Sequence, residues 1–115
     1  MNALQQRMVS FSVKVLDGLQ GIKKDPLLGD IAIQLMRSAS STGANYSEAQ
    51  SASSYRDFHN KVRIALKEMK ESQYWLNFLK ESRANVRDLP ALVQESEELV
   101  RILSTISKKT DLNRK

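Results

Sequence analysis

The chain has 115 residues and no cysteine, and 41% of its residues are hydrophobic. This length is typical of one domain, which can bury a core without disulfides or a structural metal. The lack of cysteine also excludes thiolate nucleophiles and metal centres with cysteine ligands. The formal net charge of +5 is compatible with an anionic partner, but it is equally explained by solubility.

The amino-terminal segment and the hydropathy argue against a secreted or membrane protein. Residues 1–7 carry polar groups and a charge where a secretory signal needs an apolar core. No apolar run approaches the roughly 18 residues that span a bilayer. We therefore expect a soluble, cytoplasmic protein without a membrane partner.

The first predicted helix covers residues 3–23 and has two apolar faces. One face carries apolar residues at steps of three and four: Leu4, Met8, Phe11, Val15, Leu19 and Ile22. This spacing predicts a face that packs in the core. A second set, Val9, Val13 and Leu16, lies about 100° or more away, where packing into two layers would leave it in water. These three residues are candidate oligomer contacts.

The second predicted helix covers residues 27–50. It follows a break at Asp25, because the residue before a proline is pushed out of the helical region, and Asp25 is available as the N-cap. Its apolar face consists of Leu28, Ile31, Ala32, Leu35, Ala39 and Tyr46. Gly43 lies in the middle of this face, at a cost of about 1 kcal/mol relative to alanine. We expect Gly43 to allow close packing of a neighbouring helix.

The same helix carries a polar stripe that contains Arg37, Asn45 and Glu48. One interpretation is a ligand or nucleic-acid site. The other is that these three side chains hydrogen-bond to neighbouring helices or subunits and set their register. We favour the structural interpretation, because asparagine and glutamate are poor ligands for phosphate.

The third predicted helix, residues 54–84, is the longest. Ser54 is its expected N-cap, and Asp57 three residues later approximates a capping box. The core face consists of Phe58, Val62, Ala65, Leu66, Met69, Gln73 and Leu76. Ile64 and Trp75 lie to one side of this face, which is wider than a monomeric bundle needs. We therefore add them to the candidate oligomer contacts.

Four cations, Arg56, Arg63, Lys67 and Lys70, lie opposite the core face of the third helix, within about 40° of one line at 100° per residue. One interpretation is a surface that faces phosphates, where each neutralised phosphate releases counterions. The other is an ordinary solvated face with ion pairs such as Lys67 with Glu71. Repetition of the cations around an oligomer would favour the first interpretation.

The fourth predicted helix covers residues 88–107, with Asp88 as a possible N-cap and Pro90 in the first turn. Its apolar stripe consists of Leu89, Leu92, Leu99, Leu103 and Ile106. Residues 110–115 form a polar tail. Four helices with short connections and no strand pattern predict a single all-α domain over residues 1–109, an up-down four-helix bundle.

The sequence contains no convincing catalytic, metal or cofactor site. His59 is the only histidine, and no Glu-x-x-His pair accompanies it. The serines lack a base in an implied triad, and Gly43 is not part of a phosphate-binding glycine loop. We therefore expect no enzymatic activity, no cofactor and no small-molecule substrate.

The central segments carry a resemblance to a known family. They read QLMRS at 34–38, GANY at 43–46, EAQ at 48–50, DF at 57–58, IALKE at 64–68 and ESQYWL at 71–76. This combined pattern resembles the proteins related to reading frames in intervening sequences of bacterial 23S ribosomal RNA, the S23 ribosomal protein family. The resemblance implies a left-handed up-down four-helix bundle that assembles into a ring-shaped homopentamer. The chain is also similar to the accessory protein of diversity-generating retroelements, a basic pentamer that binds nucleic acid and a reverse transcriptase.

Two functional hypotheses follow. The first is a non-enzymatic homo-oligomer that binds structured RNA, or an RNA–protein complex, through repeated basic surfaces. The second is a protein-interaction scaffold that docks an acidic partner, with nucleic acid irrelevant.

Overall fold

The computed structural model describes residues 1–112, which form four α-helices and no β-strand. The helices are α1 (Ala3–Gly18), α2 (Gly29–Ala49), α3 (Tyr55–Glu81) and α4 (Leu89–Thr110), and a short 3₁₀ helix, Leu19–Gly21, extends α1. The predicted all-α class with four helices is confirmed. Residues 113–115 of the predicted polar tail lie outside the described residues, whereas Thr110 still belongs to α4.

Consecutive helices run in opposite directions. The side chain of Asn2, before α1, donates to Gln50, after α2, at 3.3 Å. At the same end of the molecule, the His59 ring near the start of α3 lies 2.8 Å from the hydroxyl of Thr110 at the end of α4. Since α1 also packs against α4, the four helices close into an up-down bundle.

The core lies along the bundle axis and matches the apolar stripes of the sequence. Its fully buried side chains include Met8, Phe11, Val15, Leu35, Val62, Met69, Leu76, Leu99 and Leu103. Two serines are buried with them at the contact of α2 with α3, and the hydroxyls of Ser38 and Ser72 lie 2.7 Å apart. The two hydroxyls lie 3.2 and 3.1 Å from carbonyls of their own helices, so the proton of each hydroxyl has an acceptor.

Arg7 links α1 to α4. Its Nε and Nη2 atoms donate to the two carboxylate oxygens of Glu95 at 2.8 and 2.7 Å, and Nη2 also donates to Glu98 at 3.0 Å. The hydrogen bond to Glu95 raises the pKa of Arg7 above its usual range.

Helix α2 begins two residues later than we expected, because Asp25 caps a turn instead of the helix. The Asp25 carboxylate accepts hydrogen bonds from the backbone N–H groups of Leu27 and Leu28 at 2.8 and 2.9 Å. The N–H of Gly29 then bonds to the Asp25 carbonyl at 2.9 Å. Residues 25–28 therefore form a turn, and the helix follows it.

The N-caps of α1, α3 and α4 agree only in part with those predicted from the sequence. Ser54 caps α3 as expected, because its hydroxyl accepts from the N–H of Asp57 at 3.0 Å. Asp88 precedes α4 but makes no capping hydrogen bond, since its backbone is left-handed with φ of 57°. A full capping box joins Asn2 and Gln5 at the start of α1, and our sequence analysis missed it.

Gly21 and Gly43 have different roles. A Cβ added at Gly21 would lie 2.5 Å from the backbone oxygen of Asn85, so the end of α1 packs on the α3–α4 connection only without a side chain there. A Cβ added at Gly43 would meet only the Cβ of Met8, at 3.4 Å, which is an ordinary contact. The packing of residues 1–112 therefore does not require glycine at position 43, contrary to our expectation.

These contacts predict opposite effects of two Gly→Ala substitutions. Gly21→Ala should lower the free energy of unfolding by about 1 to 3 kcal/mol, because the backbone at Asn85 must move. Gly43→Ala should raise it by up to about 1 kcal/mol, because alanine is the better helix former. Urea denaturation followed by circular dichroism measures both, and equal effects would contradict the packing described.

Candidate nucleic-acid interface

The four cations predicted from the sequence lie on the outer face of α3, on the side that borders α4. Arg56, Arg63, Lys67 and Lys70 are all exposed. At about 1.5 Å of rise per residue, they extend over about 21 Å along the helix axis. We call this set the α3 basic stripe.

Three shallow cavities follow the basic stripe, and Arg63 lines all of them. The first, of about 390 Å³, lies between α3 and the end of α4 and is lined by Arg56, His59, Asn60, Arg63, Ser107, Lys108, Asp111 and Leu112. The second cavity, of about 300 Å³, is lined by Arg63, Leu66, Lys67, Lys70 and Ser107. The third cavity, of about 360 Å³, is lined by Asn60, Arg63, Ile64 and Lys67. Arg63 is thus the central cation of this surface.

Lys108 is a further cation of this surface that our sequence analysis missed. The predicted fourth helix ends at residue 107, one residue before Lys108. In the structure α4 continues to Thr110, so Lys108 lies on a folded helix and lines the first cavity opposite Arg56 and Arg63. The signal that could have found it is the lysine pair in the last turn, where cations favour the helix dipole.

The carboxylates in the middle of α3 turn away from the basic stripe and towards α2. Nη2 of Arg37 donates to Oε2 of Glu71 at 2.7 Å, and Nη1 lies 3.7 Å from Oε2 of Glu68. The indole N–H of Trp75 also donates to Glu71, at 3.3 Å. The expected Lys67–Glu71 ion pair is therefore not formed.

As a result, these carboxylates do not neutralise the positive charge of the basic stripe. Within residues 1–112, none of its four cations forms an ion pair with a carboxylate. Asp57, the acidic residue beside Arg56, accepts from the N–H of Ser53 at 3.1 Å. The ion pairs along the helix that the alternative interpretation includes are absent from this surface within residues 1–112.

Two of the three residues of the polar stripe link α2 to α3. Arg37 pairs with the two α3 carboxylates, and the Glu48 carboxylate lies 3.2 Å from Nζ of Lys61. Asn45 instead bonds within its own helix, to the carbonyl and the hydroxyl of Ser41 at 2.9 and 3.1 Å. Its predicted link to a neighbouring helix is absent from residues 1–112.

The candidate oligomer contacts form two separate apolar patches. The α1 patch consists of Val9, Val13 and Leu16, which are 42%, 50% and 48% exposed. The α3 patch consists of the predicted Ile64 and Trp75, to which the structure adds Phe78, and it borders the basic stripe, because Ile64 lines the third cavity together with Arg63 and Lys67. Ile64 and Phe78 are exposed, whereas Trp75 is partly buried and packs edge to face with Phe78, with ring centroids 6.0 Å apart.

Residues 1–112 contain no cluster of three or more metal-ligating side chains. His59 faces the first cavity, and its Nδ1 lies 2.8 Å from the Thr110 hydroxyl. That hydroxyl also donates to the Ile106 carbonyl at 2.8 Å. None of the helices within residues 1–112 combines the length and the apolar character that a membrane span requires.

The family profile described as 23S rRNA-intervening sequence protein matches residues 2–105. The chain belongs to this family. A crystal structure of a protein of unknown function from the S23 ribosomal protein family of Bacteroides thetaiotaomicron is 31% identical to this family member, with a TM-score of 0.83. The alignment covers 92% of this chain and 99% of that chain. The resemblance found in the sequence is confirmed.

No curated protein sequence matches this family member significantly.

The arrangement around Arg37 predicts that this residue stabilises the fold more than an ordinary surface cation does. Arg37→Met should lower the free energy of unfolding by about 2 kcal/mol, because it leaves the largely buried Glu68 carboxylate without its counter-charge. Lys61→Met, which breaks the more exposed pair with Glu48, should cost about 0.5 kcal/mol or less. Thermal and urea denaturation of the two variants measure the difference, and similar losses would contradict the role given to Arg37.

Proposed function

We propose that this family member is a non-enzymatic, homo-oligomeric cytoplasmic protein that binds structured RNA, or an RNA–protein complex, through the α3 basic stripe. The observation that carries the proposal is that, within residues 1–112, four cations over about 21 Å of one helix form no ion pair with a carboxylate. Cations already paired with carboxylates would have to break those pairs before binding phosphate. The four cations of the stripe have no such pairs to break within residues 1–112.

Phosphate binding fits the chemistry of the stripe. Each phosphate that a lysine or arginine neutralises releases condensed counterions, which gives affinity that depends on salt and little on sequence. Arg63 can donate to two phosphate oxygens at once, whereas Lys67 and Lys70 act as point charges. The name of the family, which refers to ribosomal RNA, supports RNA as the partner.

The two apolar patches support an assembly of several copies. A ring needs two different surfaces on each subunit that fit each other, whereas a two-fold dimer uses one surface twice. The α1 patch and the α3 patch supply two such surfaces on different helices. A pentamer, as the family resemblance implies, would repeat the basic stripe five times around the ring and multiply its affinity for a long polyanion.

The stripe predicts which substitutions abolish RNA binding. Arg63→Glu combined with Lys67→Glu should weaken binding of a folded RNA hairpin more than about a hundredfold and lower the dependence of affinity on salt, because phosphate contacts are lost and repulsion is added. Fluorescence anisotropy at 50 to 200 mM salt measures both effects.

The matched control is Lys23→Glu with Lys24→Glu, two exposed lysines at the other end of the bundle that give the same change of net charge. It should lose much less affinity. Equal losses would mean that net charge, not the stripe, drives binding. A protein partner that stays bound to the stripe after nuclease treatment would favour the acidic-partner hypothesis.

The assembly predicts that a charge in the α1 patch separates the subunits. Light scattering should give about five times the chain mass of 13.0 kDa for the unmodified protein. Val13→Asp should lower the measured mass to that of a single chain with unchanged helix content, because assembly would bury the new carboxylate at the contact between subunits. Leu27→Asp, an exposed apolar residue outside both patches, should leave the mass unchanged. A monomeric unmodified protein would refute the assembly.

A further inference from the structure

Aromatic side chains stand at both ends of the α3 basic stripe. Tyr55 precedes Arg56 and is 54% exposed, and Tyr74 lies one helical turn beyond Lys70 and is 61% exposed. Between them, the partly buried Leu66 gives the second cavity an apolar lining. The surface is thus a row of cations with rings at its two ends, and not a row of cations alone.

We propose that this surface binds unpaired nucleotides, with the phosphates on the four cations and a base stacked on Tyr74. The inference rests on the proposed function and narrows it: within a structured RNA, the stripe binds single-stranded loops or ends and not the paired stems.

The composition of the surface favours a single strand over a duplex. A duplex keeps its bases stacked inside and offers phosphates and sugars to the protein, so only the cations would find partners. An unpaired strand offers base faces as well, and these stack on aromatic side chains with little dependence on sequence. The exposed ring of Tyr74, which lies in line with the cations, can therefore stack on a base only when the bases are free.

The Tyr74 ring is held in position before any ligand binds. It packs edge to face on Trp75, with ring centroids 5.0 Å apart and an interplanar angle of 76°. The Trp75 indole in turn donates to Glu71, which Arg37 holds at 2.7 Å. Because the ring is exposed but already ordered, stacking a base on it costs little conformational entropy.

Tyr55 is also fixed, at the other end of the stripe. Its hydroxyl donates to the carbonyl of Lys109 on α4 at 3.3 Å. Because a substitution of Tyr55 would also remove this contact between helices, Tyr74 is the better residue for a test.

The experiment compares a 20-nucleotide RNA without self-complementarity, free and annealed to its complement, by fluorescence anisotropy at 50 mM salt. The full-length protein should bind the free strand at least about tenfold more tightly. Tyr74→Leu should weaken binding of the free strand about tenfold and leave duplex binding unchanged, because only base stacking is lost. Tyr74→Phe, which keeps the ring, should behave as the unmodified protein.

Circular dichroism and light scattering show whether the Tyr74 variants keep the fold and the mass of the unmodified protein. Equal affinity for the two RNAs, tighter binding of the duplex, or a free-strand affinity that Tyr74→Leu does not change would overturn the inference and leave the proposed function standing. Absence of salt-dependent binding to either RNA would refute the proposed function together with it.

Discussion

The pairing of Arg37 with the carboxylates of α3 determines which charges the outer surface of this bundle presents to solvent. Of the two carboxylates, Glu68 and Glu71, the second lies four residues after Lys67, close enough along α3 to pair with it, as such residues often do in isolated helices. Arg37 reaches them from α2 instead, at 3.7 and 2.7 Å. One side chain thereby neutralises acidic charge on the side of α3 that faces α2, and within residues 1–112 the cations on the side that borders α4 form no ion pair with a carboxylate.

This pairing depends on how closely α2 and α3 approach. Ser38 and Ser72 lie opposite each other in the core, and their hydroxyls are 2.7 Å apart. Two larger side chains at this level would separate the helices and lengthen the distance from Arg37 to its partners. The small residues of α2 therefore set the spacing of the helices, and the charge distribution follows from that spacing.

The periodicity of apolar residues predicts the four helices and most of the core, because burial against neighbours follows directly from the spacing along each helix. Details that depend on contacts between helices are not predictable in this way. The partner of Glu71 depends on the register of α2 against α3, which no single helix specifies. The roles of Asp25 and Asp88 depend on turn conformations in which the same side chain either caps a helix or does not.

Helix α3 carries the two proposed surfaces on neighbouring sides. On the side towards α4, the basic stripe ends in the exposed ring of Tyr74; on the side towards α2, the apolar patch contains Trp75. The two rings pack against each other at 5.0 Å, so the proposed subunit contact and the proposed stacking surface share a border. Assembly that fixes Trp75 would also fix Tyr74, and each added subunit would then bring one more ordered ring and four more cations to the same polyanion. Assembly and nucleic-acid binding would therefore strengthen each other by linkage, since a ligand that contacts several stripes favours the state in which they are held together.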